Sequence, residues 1–488
     1  MKVSIGTLER QRSMRVATAD KGLEGREQSM ESTLFKPEFL FVEGRFRSDL
    51  GLSVAADGRI SQLSAVRKTD RAVHLPGRVL LPGQVNVHSH AFQRLLRGRT
   101  EFRLATQQAE NFWTWRQRMY QVAFALGPEE LYVASRQAFL DMALSGITSV
   151  GEFHYLQRDP KGREYADPNE LAKRVVQAAR DVGLRIVLLR VGYARAGHRV
   201  PADPSQRRFI DPDVEKFFNA ADELAAAFRG DPCASVGIAP HSVRAVPKEW
   251  LQRSSERRDR VVHMHVAEQA GEVDACLEEH GRRPVELLDE VGLLGPRFTA
   301  VHAIHLVKSE IVLLGRSGSA VCACPSTERN LGDGVVPADE LMAAGVPISL
   351  GSDSHAEIDL IQEATLLEGH LRLVRQKRAV LDSVGGDPNS LAALLFTCAT
   401  ANGARALGLD GGGLRVGAPA DFFTVDLGHR SLVGTTEDNL LEAIVFGMKK
   451  SAVRDVAVGG KLIVQDGEHP LGNQSDHEYA ALCRKVFS

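Results

Sequence analysis

Leu81-Pro-Gly-Gln-Val-Asn-Val-His88-Ser-His90 is the stretch on which the expected fold depends. Its residues predict a short buried strand that ends in two histidines, one residue apart. Side chains two positions apart lie on the same face of an extended backbone, so His88 and His90 can direct two imidazoles at one point. Such a pair suits a divalent metal, although two neighbouring surface histidines are the commoner outcome of this pattern alone.

The composition limits the class of protein. With 488 residues, the chain can bury a large core and form more than one domain. Its formal net charge of -2 predicts no nucleic-acid partner, and no apolar run is long enough for a transmembrane helix. The 6 cysteines are scattered, which argues against a disulfide framework and predicts a cytoplasmic location. Residues 1–33 are expected to be a mobile tail or an over-extended start, with Met30 as the true one.

Beyond His90, apolar strands alternate with helical segments, which is typical of a (β/α)8 TIM barrel. Several strands are apolar throughout, as expected when both faces are buried. An open, doubly wound sheet is the alternative, but no glycine-rich dinucleotide fingerprint follows the first strand. Beginning with the strand near Val85, the predicted strands continue at Ile147–Phe153, Leu184–Val191, Ser235–Pro240, Val261–Ala267, Phe298–His302, Ser319–Ala323 and Pro347–Gly351.

Both ends of the chain predict β structure outside the barrel. Residues 34–82 contain short β-like runs between Gly and Asp turns, and we expect them to form an antiparallel module. Residues 409–488 contain the patterns of β-hairpins. We expect the two ends to join in one small β-sandwich beside a catalytic barrel at 83–408.

Two segments between the strands have local interpretations. The stretch 101–120, which contains Phe112-Trp-Thr-Trp-Arg116, is either a lid over the site or plain packing of aromatic side chains. Asp211-Pro212 has the pattern of a helix start, with the aspartate as N-cap and the proline in the first position.

The chemistry of such a barrel lies at the C-terminal ends of its strands. Each residue there has a bland explanation, because strand-end histidines are often structural and Asp353 could cap the following helix. That explanation would have to hold at five strand ends at once, so we favour a metal site. The residues concerned are His88, His90, Glu152, His154, Tyr155, His241, Arg244, His263, His265, Glu268, His302, His305, Asp353 and His355.

Four of these residues are the expected metal ligands, namely His88, His90, His265 and Asp353. A bound zinc ion would keep one position for water and lower the pKa of that water towards about 7. Iron or manganese would also fit these ligands. The fourth strand, 234–241, has no lysine that could bridge a second metal, which favours a single ion.

Three residues are expected to handle protons during catalysis. Asp353 can accept the proton of the attacking water as a general base. Glu268 can transfer a proton to a leaving nitrogen, and His302 can polarise the tetrahedral intermediate or orient the water.

These motifs together resemble the amidohydrolase superfamily, in its mononuclear deaminase-like branch. The similar elements are His88-x-His90, His265-x-x-Glu268, His302, Asp353 and the later run Gly417-Ala-Pro-Ala-Asp421. The similarity covers nearly the whole chain from about Leu34.

Longer stretches are similar to one family of that branch, the formimidoylglutamate deiminases of histidine degradation. The resemblance implies hydrolysis of N-formimidoyl-L-glutamate to N-formyl-L-glutamate and ammonia, by a homodimer. Departures at Ile304, Arg329 and Ala356-Glu357 leave room for another N-formimidoyl or guanidino amino acid. The similar stretches are His88–Arg94, Phe112–Arg116, Glu152–Tyr155, His241–Val246, His265–Gln269, Ser326–Gly334 and Gly351–His355.

The implied substrate is a small dicarboxylate, and arginine forks bind carboxylates bidentately. On the family pattern, Arg244 would bind one carboxylate, while Gln93, Arg116 and Tyr155 would bind the other. His241 would contact the substrate near the metal. For either arginine alone the alternative is a surface ion pair, which is common in a chain with 60 Lys+Arg.

Two other functions remain open from the sequence. A purine or pyrimidine deaminase would need an aromatic wall and amide groups, and would have less use for two arginines. A catalytically silent barrel would have an incomplete set of metal ligands.

Overall fold

The computed structural model of the chain describes residues 33–66, 72–102, 112–197, 200–201, 203–383 and 387–488. The predicted mobile tail therefore lies outside the described residues, apart from Thr33. Residues 103–111 of the segment at 101–120 also lie outside them.

The strands of the described ranges form two sheets. In chain order they are β1 (Thr33–Val42), β2 (Arg45–Arg47), β3 (Leu50–Val54), β4 (Ile60–Ala65), β5 (Val73–Pro82), β6 (Gln84–Ser89), β7 (Ile147–His154), β8 (Arg185–Gly192), β9 (Ala234–Pro240), β10 (Val262–Val266), β11 (Phe298–His302), β12 (Ala320–Ala323), β13 (Ile348–Leu350), β14 (Phe422–Asp426), β15 (Val453–Val458) and β16 (Lys461–Val464).

The α-helices of the same ranges mostly follow the barrel strands. They are α1 (Phe112–Phe124), α2 (Pro128–Leu144), α3 (Glu170–Val182), α4 (Val214–Ala227), α5 (Lys248–Ser255), α6 (Ala270–His280), α7 (Pro284–Glu290), α8 (Lys308–Ser317), α9 (Pro325–Leu331), α10 (Ala338–Ala343), α11 (Leu360–Arg375), α12 (Ser390–Ala399), α13 (Ala401–Ala406), α14 (Leu440–Gly447) and α15 (Gly472–Phe487). No helix within the described ranges is long and apolar enough to cross a membrane.

Strands β6 to β13 pair in sequence order, and every pair is parallel, which confirms the (β/α)8 barrel and excludes the open sheet. The two edge strands of this sheet, β6 and β13, meet beside the candidate site. There the backbone N–H of Asp353 donates to the carbonyl oxygen of His88 at 3.0 Å, and the N–H of His90 donates to the carbonyl oxygen of Asp353 at 3.0 Å. A Cβ atom at Gly351 would lie 2.8 Å from the Cβ of His88, so this approach requires glycine.

The other sheet contains strands from both chain ends, as predicted. Its order is β16-β15-β14-β5-β1-β3-β4, with β2 on β1, and the antiparallel pair of β5 with β14 joins the two ends. The expectation that the N-terminal strands would all be antiparallel is wrong for β1 and β5, which are parallel. Strand β5 continues almost directly into β6, so the first barrel strand determines the direction in which β5 runs.

The helix after β8 shows how a buried charge overrides a local pattern. Helix α4 begins at Val214, and Asp213 caps it by accepting a hydrogen bond from the backbone N–H of Lys216. The prediction that Asp211 caps this helix is wrong. Asp211 is buried and pairs with the buried Arg190 at 2.7 Å, because a guanidinium inside the protein requires a carboxylate partner.

Candidate metal and active site

The four expected metal ligands lie together at the C-terminal end of the barrel, and we call them the metal cluster: His88, His90, His265 and Asp353. Nε2 of His88 lies 3.2 Å from Nε2 of His90 and 3.1 Å from Nε2 of His265. Oδ1 of Asp353 lies 3.4 Å from Nε2 of His88 and 3.3 Å from Nε2 of His90. All four residues are buried.

The protonation states of the cluster suit a cation. Nδ1 of His90 lies 3.0 Å from the carbonyl oxygen of Phe153, which can only accept, so Nδ1 bears the proton and Nε2 keeps its lone pair. Burial lowers the pKa of His90 to about 3 and that of His265 well below its usual value. Neutral imidazoles this close direct lone pairs at one another, an arrangement that a divalent metal relieves. The residues therefore fit the expected ion.

Asp353 supplies the negative charge of the cluster. Burial alone would raise its pKa, but contact with the ring of His88 holds that pKa below its usual range. The backbone of Asp353 has φ of +46°, a conformation that non-glycine residues adopt only when the surroundings enforce it. The barrel closure described above provides that constraint.

Two further predicted residues lie beside the cluster. Nε2 of His302 is 3.7 Å from Oδ2 of Asp353 and 3.8 Å from Oε1 of Glu268. Burial raises the pKa of Glu268, so this carboxyl group can hold a proton at higher pH than an exposed glutamate. The three side chains can exchange protons with a single reacting group placed between them.

A cavity opens above the cluster. Except for His88, it is lined by every residue with a predicted metal-binding, catalytic or substrate-binding role: His90, Gln93, Arg116, Tyr155, His241, Arg244, His265, Glu268, His302 and Asp353. The structure thus places the expected catalytic and substrate-binding side chains around one space.

Arg116 on α1 and Arg244 after β9, which we call the arginine pair, both face this cavity. Both guanidinium groups contact the ring of Trp113, with Cζ at 4.6 Å and 5.4 Å from its centroid respectively. Nε and Nη1 of each arginine are buried and have no hydrogen-bond partner among the described residues. Buried cations in this state favour an anionic ligand, since an unpaired charge is costly away from water.

Gln93 and Tyr155 form one wall of the cavity. Nε2 of Gln93 donates to the hydroxyl of Tyr155 at 2.7 Å, and Oε1 of Gln93 is buried without a partner among the described residues. The 3₁₀ helix Ala91–Leu96 follows His90 directly and carries Gln93. The partly buried His241 stands between the cluster and the arginine pair, with its ring centroid 4.8 Å from that of His265.

The sequence interpretation missed Tyr193 and Tyr120, which also line the cavity. Nε2 of Gln206 donates to both hydroxyl groups, at 2.8 Å to Tyr193 and 3.2 Å to Tyr120. Tyr193 follows β8 directly, so reading the end of the third barrel strand in the same way as the others would have identified it. Tyr120 lies within the 101–120 segment, but its spacing alone does not separate it from ordinary core aromatics.

Other strand-end candidates have structural roles. Glu152 accepts from the hydroxyl of Ser89 at 2.5 Å and from the backbone N–H of Ala91 at 2.8 Å. Nε2 of His263 lies 2.9 Å from the carbonyl oxygen of Ala406, and His305 bonds the carbonyl oxygen of Asp333. Cys322 and Cys324 are buried and form no disulfide.

The described part of the 101–120 segment covers the cavity. Helix α1 contributes Phe112, Trp115, Arg116, Met119 and Tyr120 to the lining. Movement of this helix as a lid remains a prediction.

The fold and the cluster together define a metal-dependent hydrolase of the barrel type. The chain belongs to the amidohydrolase family, whose model matches residues 79–463. The four predicted ligands lie together, so the structure gives no support to the silent-barrel hypothesis.

Among curated relatives, formimidoylglutamate deiminase from Pseudomonas aeruginosa is 38% identical, over 93% of this chain and 100% of its own length. The 8-oxoguanine deaminase of the same species is 33% identical, over 85% of this chain and 89% of its own. Among solved structures, an amidohydrolase from Brucella melitensis superposes with a TM-score of 0.86 at 33% identity, over 93% of this chain and 100% of that one.

Proposed function

We propose that the chain hydrolyses N-formimidoyl-L-glutamate to N-formyl-L-glutamate and ammonia, as a formimidoylglutamate deiminase of histidine degradation. The observation that supports this function is the arginine pair, whose buried nitrogen atoms face the cavity without partners among the described residues. A substrate with two carboxylates would supply the missing acceptors. The similarity to a relative of that name points in the same direction.

The residues divide the work between binding and chemistry. Arg244 holds one carboxylate of the substrate, while Arg116, Gln93 and Tyr155 hold the other. These contacts direct the formimidoyl carbon towards the metal cluster, and His241 contacts the substrate between the two groups. Binding energy from the distant carboxylates thereby orients the reacting carbon.

The metal cluster would hold one divalent ion, for which zinc is the first choice from the His and Asp ligands, and this ion would supply an activated water. Asp353 accepts the proton of the attacking water as general base. His302, in its doubly protonated form, donates a hydrogen bond from Nε2 that stabilises the tetrahedral centre. Glu268 transfers a proton to the leaving nitrogen, which departs as ammonia.

A purine deaminase is the competing function, since the chain also resembles 8-oxoguanine deaminase. A neutral purine would leave both guanidinium groups of the arginine pair without an anion. The aromatic side chains at the cavity suit a ring, but Tyr120 among them contacts the guanidinium group of Arg116. The charges therefore favour the dicarboxylate.

The test is ammonia release by the protein loaded with zinc, iron or manganese. We expect N-formimidoyl-L-glutamate to be hydrolysed with kcat/KM in the range of efficient enzymes, about 10⁴ M⁻¹s⁻¹ or higher. Guanine, 8-oxoguanine, cytosine and a guanidino amino acid are the comparison substrates. Faster release from any of these would overturn the proposal.

A further inference from the structure

Glu328 is a buried carboxylate that the proposed chemistry does not use. It lies on α9, after β12, and is 2% exposed. Its Oε1 lies 3.3 Å from Nδ1 of His302 and accepts a hydrogen bond from the backbone N–H of Cys324 at 2.8 Å. One carboxylate oxygen therefore connects the N-terminus of α9 to a side chain at the centre of the site.

The orientation of the His302 ring depends on its contact with Glu328. His302 is the last residue of β11 and has φ of +72°, outside the ordinary strand conformation. Its Nε2 faces the reacting groups, at 3.7 Å from Asp353 and 3.8 Å from Glu268. A small rotation of the imidazole would move Nε2 away from the position where the tetrahedral centre forms.

We propose that Glu328 is a positioning residue that keeps a proton on Nδ1 of His302 and fixes the orientation of its ring. Oε1 of Glu328 already accepts from the backbone N–H of Cys324, so it is also an acceptor towards Nδ1, which must keep its proton, and Nε2 is the nitrogen that faces the substrate. Carboxylates that orient imidazoles beside metal sites commonly affect activity by about 10- to 100-fold. The catalytic part of this inference rests on the proposed function, whereas the proton on Nδ1 does not.

An alternative for the same atoms is a second metal site, because His302, Cys324 and Glu328 have ligand atoms within 4.8 Å of one another. The backbone N–H of Cys324 already donates to Glu328, and Nδ1 of His302 faces the same oxygen. These contacts describe hydrogen bonding rather than coordination. A metal content of two ions per chain in the purified protein would overturn the proposal.

Glu363 on α11 offers a matched control. It is fully buried, and it holds the same turn of α9 by accepting from the backbone N–H of Ser326 at 2.8 Å and from the Ser326 hydroxyl. The structure shows no hydrogen bond from Glu363 to His302 among the described residues. Removing either carboxylate disturbs the start of α9, but only one removal releases the imidazole.

The kinetic experiment compares Glu328→Leu and Glu328→Gln with Glu363→Leu and Glu363→Gln in the metal-loaded protein. We expect Glu328→Leu to lower kcat by about 100-fold with KM within about 3-fold, and Glu328→Gln to retain more activity because its amide oxygen can still accept. The Glu363 variants should keep kcat within about 3-fold at an unchanged metal content. Equal losses in both series would assign the effect to α9 and overturn the proposal.

A spectroscopic experiment keeps the inference testable if Glu328→Leu does not fold or if the proposed substrate is wrong. Proteins labelled with ¹⁵N-histidine and loaded with zinc would be compared by NMR, with His302→Gln identifying the resonance. We expect a proton on Nδ1 of His302 in the wild type and a shift of that resonance in Glu328→Gln but not in Glu363→Gln. A neutral His302 protonated only on Nε2 would contradict the proposal.

Failure of the proposed function has a different signature from failure of this inference. A wild-type protein that binds metal but releases no ammonia from N-formimidoyl-L-glutamate would overturn the function alone. The Nδ1 proton of His302 would still be measured in that protein.

Discussion

The metal cluster and the arginine pair face one cavity but are held in different ways. The histidines of the cluster lie on β6, directly after it and on β10, and all are buried, so the backbone of the barrel fixes them. The arginines lie on α1 and on the loop after β9, and both contact Trp113, which is 37% exposed. The difference indicates that the barrel determines the class of reaction, while the connecting segments determine the substrate.

The largest expected effect belongs to the cluster. Changing His265 to Asn removes a proposed ligand and should lower kcat by about 10³-fold or more, together with the metal content measured by elemental analysis. The matched control is His263→Asn on the same strand, because His263 is also buried but bonds the carbonyl oxygen of Ala406. This control should lower the melting temperature and retain the metal. Loss of metal in this variant would mean that the effect of His265→Asn is not specific to the cluster.

The second effect belongs to the arginine pair. Arg244→Met should lower kcat/KM for N-formimidoyl-L-glutamate by about 30- to 5000-fold, because truncating a buried charge pair costs about 2–5 kcal/mol. The metal content should not change, since Arg244 lies outside the cluster. Steady-state assays of ammonia release would measure the loss. Unchanged activity would mean that the pair does not bind the substrate.

The smallest effect belongs to the side chain behind the two tyrosines. Gln206→Leu removes the donor to both hydroxyl groups without touching either the cluster or the arginine pair. We expect KM to rise by about 3- to 10-fold with kcat within about 2-fold, as the loss of one or two hydrogen bonds implies. Full kinetic curves of the variant would separate the two constants, and a fall in kcat alone would assign Gln206 to the chemistry instead.

The contrast between the metal cluster and the arginine pair also explains which parts of the site can be predicted from the sequence. The cluster is predictable because parallel strands must end at the same face of a barrel. His88, His265 and Asp353 therefore come together independently of the conformation of the loops. Apolar strands such as β8 are recognisable for the same reason, since both of their faces are buried.

The rest depends on contacts between distant segments. Tyr193 and Tyr120 meet through Gln206, and no local pattern connects these three positions. Asp211 has the local pattern of a helix cap, but the buried Arg190 takes it as a partner. The arginine pair was expected from motifs resembling a known family, because spacing alone does not distinguish a substrate-binding arginine from a surface ion pair. The homodimer and the cytoplasmic location remain predictions.

The central claim is that the cluster and the arginine pair act on one molecule with two carboxylates. The most direct measurement is the ratio of kcat/KM for N-formimidoyl-L-glutamate to that for N-formimidoyl-glycine, which lacks the side-chain carboxylate. We predict a ratio of about 100 or more, since one charge-assisted contact is worth about 1.5–3 kcal/mol and a bidentate fork makes two. A ratio near one would contradict the account.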